Sequence, residues 1–401
     1  MTDLIDIDVF VSGGGVAGLA ATIAFAQAGF RTLCADPAPP ITDRDSDGAD
    51  LRTTAFLQPS RTFLDQIGLW PRFAPHATPL QVMRIVDAGG PDATARATHD
   101  FDAADISDQP FGWNLPNWLL RREMVAHLDT LPDAEFRSGT GTAHLLTRMS
   151  EARVTLTDGT RLRAKLVIAA DGRDSPVREA AGIDVATTRY GQKALAFAVT
   201  HDAPHGNVST EIHRTGGPFT LVPLPDHEGQ ACSAVVWMER GAEAARLAAL
   251  PEPEFNIEMT ARSGGIYGPL RVASRRTMWP IISQNAARMS AERVALVAEA
   301  AHVVPPIGAQ GLNMSLGDIA CLLDIAEANR EDPGAAAGLD RYHRARHPEV
   351  TARVAGVGAL NRASMANAQT LRDLRMRALS ALHGITPIRR SLMRAGLGAT
   401  G

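Results

Sequence analysis

The sequence predicts an α/β fold: a Rossmann-like nucleotide domain interleaved with a mostly antiparallel β-sheet domain, plus C-terminal helices. Three observations carry this expectation. The chain opens with a strand, a glycine-rich turn and an alanine-rich helix; two later stretches again place a carboxylate at the end of an apolar strand; and residues 186 to 280 alternate apolar and polar side chains.

The first of these must be separated from a membrane span. No charged residue occurs between Asp8 and Arg31, long enough by length alone to cross a bilayer. A signal peptide wants positive charge before its apolar core, whereas Asp3, Asp6 and Asp8 precede this one. The pattern also changes period: Ile7, Val9 and Val11 alternate like a strand, and Leu19 to Ala28 reads as a helix. In the turn between them Gly13 permits a tight bend, Gly15 lets the backbone approach a pyrophosphate, and Gly18 lets helix and strand pack closely. Val16 and Ala17 begin the helix, whose N-terminus offers free N–H groups and a positive dipole end to phosphates. A second strand, Thr32 to Ala35, ends in Asp36, eighteen residues after Gly18, where a carboxylate accepts from ribose hydroxyls. This motif does not distinguish FAD from NAD.

The later stretches are "KLVIAADGRDSPVREAAG" and "RVALVAEAAHVVPPIGAQGLNMSLGDIACLL". In the first, an apolar strand, Leu166 to Ala170, delivers Asp171 and Gly172. In the second, Val294 to Val297 leads to Glu299, a Pro-Pro and glycine loop, and a helix from about Leu312. Both put a carboxylate at the carboxyl end of a strand, where open α/β sheets bind ligands. Between them, "KALAFAVTH", "VSTEIHR", "PFTLVPL" and "ACSAVVWM" read as short strands of an antiparallel sheet, with a helical interlude from about Glu252 to Ser263. Helices from about Leu339 onward have Pro348 and Pro387 as expected boundaries.

At 401 residues, with 45% apolar and 21% charged, the chain is a globular protein of two domains or one with a large insertion. Cys34, Cys232 and Cys321 lie far apart without a C-x-x-C pair, which argues against a disulfide framework or structural zinc and for a reducing compartment. The net charge of −4 hides an asymmetry. From Arg341 onward there are eleven arginines and no lysine against Glu349 and Asp373, a balance of +9 that leaves −13 on the rest. A basic tail on an acidic body points to an anionic partner such as a membrane surface, or equally to a solvated helical face.

With these motifs in this order, the chain resembles the single-component FAD-dependent aromatic hydroxylases, and within them the ubiquinone-biosynthesis hydroxylases. The resemblance runs nearly end to end. It takes in the glycine turn, "DLRTTAFLQPSRTFLDQIGLW", "GWNLPNWLLRREM", the Asp-Gly motif, "AEAAHVVPPIGAQGLN" and the closing "HGITPIRRSLMRAGLG". It implies a Rossmann-like FAD-binding domain formed by residues 1–75, 112–182 and 286–338, a β-sheet substrate domain from 76–111 and 183–285, and a basic helical region at 339–401.

Carried over by position, the resemblance places Gly13, Gly15 and Gly18 at the pyrophosphate, Asp36 at the ribose, Arg52 near the phosphates and Asn117 at the ribityl chain. Asp171 with Gly172 touches FAD, Glu299 takes the place of a ribityl-binding Asp, and the loop from Pro306 through Gly308 and Gly311 faces the isoalloxazine. Leu312 and Asn313 offer backbone N–H groups to the flavin pyrimidine edge. Departures are visible: Ala298-Glu299 stands where Gly-Asp is usual, Gly308-Ala309-Gln310-Gly311 replaces Ala-Gly-Gln-Gly, Ser315 replaces a frequent glycine, and Pro37 stands where a basic residue is common.

The activity implied is hydroxylation of an aromatic ring with NAD(P)H and O₂ through a flavin C4a-hydroperoxide, on a prenylated phenol or quinone precursor of ubiquinone. No catalytic base is named: no Ser-His-Asp triad, carboxylate pair or metal cluster stands out, and no metal or nucleic acid is expected. His302 reads as a packed histidine, Arg178 as a structural contact at a helix start, and Arg52 could simply pair with Asp50. The competing readings are a flavin-binding reductase and a low-turnover flavoprotein component of a membrane-associated biosynthetic complex. A halogenase is disfavoured because Trp113 and Trp118 lack the W-x-W-x-I-P spacing. The expected location is cytoplasmic, peripheral on the inner face of a membrane, beside other ubiquinone-biosynthesis proteins.

Overall fold

Five mutually parallel strands form the centre of the first sheet, in the order Val294–Leu296, Arg161–Ala169, Leu4–Ser12, Thr32–Asp36 and Ala134–Ser138. The computed structural model describes residues 4–90, 94–366 and 368–397. Residues 91–93, and 398–401 of the closing segment, lie outside them. The opening helix, Val16–Gln27, is buried from Ala17 through Ala26. Its neighbours on either side are the helices Asn117–Leu128 and Gln310–Glu327. A helix covered all round has no polar face to display, which is why this stretch imitates a membrane span in sequence.

The second sheet contains nine strands, all neighbours antiparallel except Val208–His213 against Val82–Asp87. Its central strand, Val185–His201, is 17 residues long and carries a register shift near Arg189. The alternation read in the sequence as short strands is therefore the sampled interior of a longer one. Leu195, Phe197 and Val199 face a core shared with the helices Gly241–Ala249 and Glu252–Arg262. The first of these helices was not anticipated. Ala194, next along the same strand, takes the opposite face, where it meets Met238, Ile281 and Ile307. Three antiparallel strands, Thr53–Leu57, Gly112–Pro116 and Thr78–Leu80, form a third sheet that packs against the strand Pro218–His227 of the second.

Pro348 does not end a helix. It sits inside Ala336–Ser364, 29 residues long, in which Leu339, Tyr342, Val350 and Val357 are buried. Pro348 and Arg344 are both exposed, so the Arg344 carbonyl deprived of its i+4 donor faces water, and packing on the opposite side holds the helix together. Pro387 lies in the first turn of Thr386–Leu397, where proline is tolerated.

Three parts of the fold converge on Asp318. It is fully buried, accepts from His302 Nε2 at 2.6 Å on one oxygen and from Arg346 Nε at 2.8 Å on the other. His302 belongs to the second sheet, Asp318 to the helix Gln310–Glu327, and Arg346 to the long C-terminal helix. Truncating Asp318 leaves buried His302 without its acceptor and takes from Arg346 one of its two carboxylate partners, and Asp318→Ala is expected to lose about 3–5 kcal/mol of unfolding free energy in chemical denaturation. A loss below about 1 kcal/mol, the range of an exposed ion pair, would contradict this role.

Candidate functional site

The carboxyl ends of four adjacent parallel strands deliver Asp36, the glycine turn, Asp171 and Glu299 in a row. At about 4.8 Å per strand, three gaps span roughly 14 Å, a length suited to an extended dinucleotide. In the turn, Gly13 has φ +103°, and a methyl group there would fall 2.4 Å from the Ala170 carbonyl oxygen. One on Gly18 would come within 1.8 Å of the Gly13 oxygen. Both positions are thus required by packing. Gly15 differs: a Cβ there meets nothing within 4 Å. Gly15 is also the N-cap of the opening helix and provides no side-chain cap, and Leu19 is the first residue to bond back to it. The N–H groups of Val16, Ala17 and Gly18 therefore lack intrahelical partners. Asp36 accepts from Gly14 N at 2.6 Å and Ala38 N at 2.8 Å, which orients its carboxylate at the rim.

Asp171 accepts from Ser12 Oγ and from Val177 N, both at 3.2 Å and both on Oδ2, while Oδ1 is buried without a partner. Burial pushes this carboxyl up, an effect opposed by hydrogen bonds from Ser175, Val177 and Ser12. Gly172 beside it is open, with φ +89°. Arg178 acts structurally, donating to the carbonyls of Ala300 and Arg173 at 2.9 Å each and so tying the second motif to the third. Arg173, which the sequence reading passed over although it follows the Asp-Gly pair, lies 3.4 Å from Glu299. Glu299 itself is half-exposed. Its predecessor Ala298 has φ +54°, a left-handed conformation that explains why glycine is usual there.

Arg52 forms a bidentate pair with Asp50, at 2.8 and 2.7 Å, and lies 5.4 Å from the centre of the Trp279 ring. Asn117 donates to the same Asp50 carboxylate at 3.0 Å and accepts from Thr54 Oγ1 at 2.8 Å. Asp50 holds both side chains in place, a role the sequence reading gave it only as a partner for Arg52.

The loop of Pro306, Gly308 and Gly311 is exposed and turns into its helix through Ala309, at φ +55°, again left-handed where the related pattern has glycine. With Ala309 as an uncapped N-cap, the N–H groups of Gln310, Gly311 and Leu312 have no intrahelical acceptor. Asn313 is the fourth helical residue. Its side chain accepts from Leu57 N at 2.9 Å and donates to the carbonyls of Ala55 and Ala309, pinning the loop to a neighbouring strand. Gln310 donates to Gly308 O at 2.7 Å and Gly396 O at 3.3 Å and accepts from Arg353 at 2.8 Å.

Open space above Gly15 and Gly172, an unpaired buried oxygen on Asp171, and two uncapped helix N-termini fit one elongated ligand with a pyrophosphate and a second hydrogen-bonding end. This arrangement defines the class as a dinucleotide-binding α/β protein. Residues 6–357 match the family described as FAD binding domain. The chain is 32% identical over 394 residues to the ubiquinone hydroxylase of Rhodospirillum rubrum, covering 98% of this chain and 89% of that protein. It is 26% identical to the 3-demethoxyubiquinol 3-hydroxylase of Escherichia coli, covering 98% of each. Among solved structures, p-nitrophenol 4-monooxygenase of Pseudomonas putida shares the fold with a TM-score of 0.81 at 20% identity, covering 99% of this chain and all of that one. The chain belongs to the FAD-dependent aromatic hydroxylases, and its cofactor is FAD.

The glycines separate experimentally. Gly18→Ala is expected to lose about 3 kcal/mol of stability through overpacking, whereas Gly15→Ala should leave the melting temperature of the FAD-free protein unchanged and weaken FAD retention, read by the flavin-to-protein absorbance ratio. Ala298→Gly and Ala309→Gly should each stabilise by about 1 kcal/mol by removing left-handed strain. Destabilisation by either would show that the loop depends on the methyl group for packing.

Proposed function

We propose that the protein hydroxylates the aromatic ring of a prenylated phenol or quinol precursor in ubiquinone biosynthesis, using NAD(P)H and O₂. The observation that carries the reading is the apolar sheet face beside the cofactor loop. Val304 and Ile307, flanking the Pro-Pro pair and the glycines, pack with Ala194, Val236, Met238 and Trp279. The same face continues through Ala198, Val222, Leu224, Cys232 and Ala234. Val222, Val236, Trp279 and Val304 are the partly exposed members of this uncharged face, so a ring with a hydrocarbon substituent can lie against them without stranding a polar group. The related hydroxylases of Rhodospirillum rubrum and Escherichia coli are named for ubiquinone and demethoxyubiquinol, which supports the substrate class.

When bound, FAD supplies hydride acceptance from NAD(P)H and activation of O₂ for electrophilic transfer to an electron-rich ring. The chain's part is placement and exclusion of water. The free N–H groups at Gly15 would hold the pyrophosphate, with Arg52 near the phosphates and Asp36 at the ribose. Asn117 and Glu299 would take the ribityl chain, Asp171 and Gly172 would line the same groove, and Leu312 N–H would meet the flavin pyrimidine edge. His302 Nε2 is engaged by buried Asp318 and ties the second sheet to the helix Gln310–Glu327. Because a prenylated substrate resides in a bilayer, we place the protein at the inner membrane face as a peripheral protein near others of the same pathway. Among the described residues no helix is long and apolar enough to cross a membrane.

The test is a visible spectrum of purified protein titrated anaerobically with NADH and NADPH, with and without a short prenylated phenol, then aerated and assayed for product. Bleaching accelerated by the phenol and a product one oxygen heavier are expected. Reduction at the same rate without the phenol, with all O₂ leaving as peroxide, would identify a reductase. A flavin that neither nucleotide reduces would identify a low-turnover component.

A further inference from the structure

The basic region splits into two parts with different surroundings. The helix Ala336–Ser364 is built into the core, whereas Gln369–Gly384 and Thr386–Leu397 lie on the surface. On one side these two helices are fastened by polar contacts. Arg375 pairs with buried Asp87 at 3.2 Å, Asp373 with Arg96, His383 with the Asp100 carbonyl at 2.9 Å, and Arg389 with Asp105 at 3.0 Å. Met393 and Leu397 are buried against Ala103 and Phe111, with Leu57 and Phe101 packed on them.

The other side is apolar and open. Leu371, Leu374, Leu382, Ile385, Ile388 and Leu392 are between 39% and 63% exposed. Leu371, Leu374, Ala378, Ala381 and Leu382 recur at three- and four-residue spacing and so share one helix face. An outward stripe of this kind marks an interaction surface. Beside it stand Arg377, Arg390 and Arg394, which form no ion pair among the described residues. Between 369 and 397 the only acid is Asp373, and it is turned to Arg96.

We propose that this outer face docks on an anionic lipid surface, with the leucines and isoleucines in the headgroup boundary and the three arginines on lipid phosphates. The occupant follows from charge. Two copies meeting through this face would oppose arginine to arginine, whereas an anionic bilayer offers both hydrocarbon and negative charge. Position adds to this. The inner face of the last helix touches Leu57, whose N–H is bonded by Asn313, and the Gly396 carbonyl accepts from Gln310 in the cofactor loop. Docking the outer face would therefore hold the cofactor loop beside the bilayer. This inference rests on the proposed membrane-resident substrate.

The experiment uses the full chain loaded with FAD, sedimented with vesicles of phosphatidylcholine plus phosphatidylglycerol and of phosphatidylcholine alone. The parent should sediment with the anionic vesicles. Leu374→Glu with Leu382→Glu should reduce that binding by at least about tenfold, and Arg377→Gln, Arg390→Gln and Arg394→Gln together should abolish the preference for anionic lipid. All five positions are exposed or unpaired, and the flavin spectrum checks that the variants fold. Failure of the parent to sediment, or unchanged sedimentation of the variants, overturns the proposal. So does a dimer in light scattering that the leucine variant dissolves, which would make the face a self-interface. Turnover of a short, water-soluble prenyl phenol separates the two readings. It should be equal in parent and variants, and its absence in the parent would sink the hydroxylase assignment while leaving the vesicle result to stand or fall alone.

Discussion

A carboxylate with no exposure to water cannot remain charged without partners, and Asp318 obtains both of its partners from other parts of the chain. His302 comes from the segment that follows Glu299, and Arg346 from the C-terminal helix. The helix that carries Asp318 also begins the cofactor loop, at Ala309 and Gln310. Satisfying this one charge therefore fixes the loop relative to Glu299 on one side and to the long helix on the other. From Arg346 the connection continues through Glu349 to Arg353, which reaches Gln310 at the start of the same helix. The circuit closes on the loop it began from.

Within that frame, the cofactor site depends on places where side chains are missing or unusually bent. Gly13 and Gly18 allow backbone approaches that a single methyl group would forbid, and Gly15 keeps the helix end open. Ala298 and Ala309 occupy left-handed conformations that glycine would adopt without strain. Their location on either side of the Pro-Pro pair means that the proline and glycine loop is entered and left through strained residues. Strain of this sort persists only where surrounding contacts over-determine the backbone. Here Arg178 on Ala300, His302 on Asp318 and Asn313 on Ala55 and Ala309 supply those contacts.

Local chemistry was legible in the sequence. Glycines at a strand-to-helix turn, Asp36 ending the second strand and Asp171 ending an apolar run each follow from a periodicity and a steric need. What depended on distant partners was not. Pro348 looks like a helix boundary because nothing nearby reveals that Tyr342 and Val350 are buried on the far side. Asp50 looks like a surface acid until Asn117, 67 residues away, is found on its carboxylate. The positive φ of Ala298 and Ala309 leaves no mark in the identity of alanine, and only the departure from the related glycine pattern hinted at it.

The charge asymmetry shows how one sequence feature divides into two structural roles. Counted along the chain, the arginines after residue 340 form one basic block. In the fold, Arg346, Arg353, Arg375 and Arg389 are bonded to acids, and Asp318, Asp87 and Asp105 on the acidic body act as sockets that seat the helices. Those pairs consume the inward arginines and leave the outward ones beside exposed leucines. Attraction between body and tail therefore selects which helix face turns out, and a one-residue rotation at the Asp87 and Asp105 sockets would bring Leu374 and Ile388 to the places of Arg375 and Arg389. The same electrostatics that fasten the last two helices to the protein thus set the composition of the surface they present.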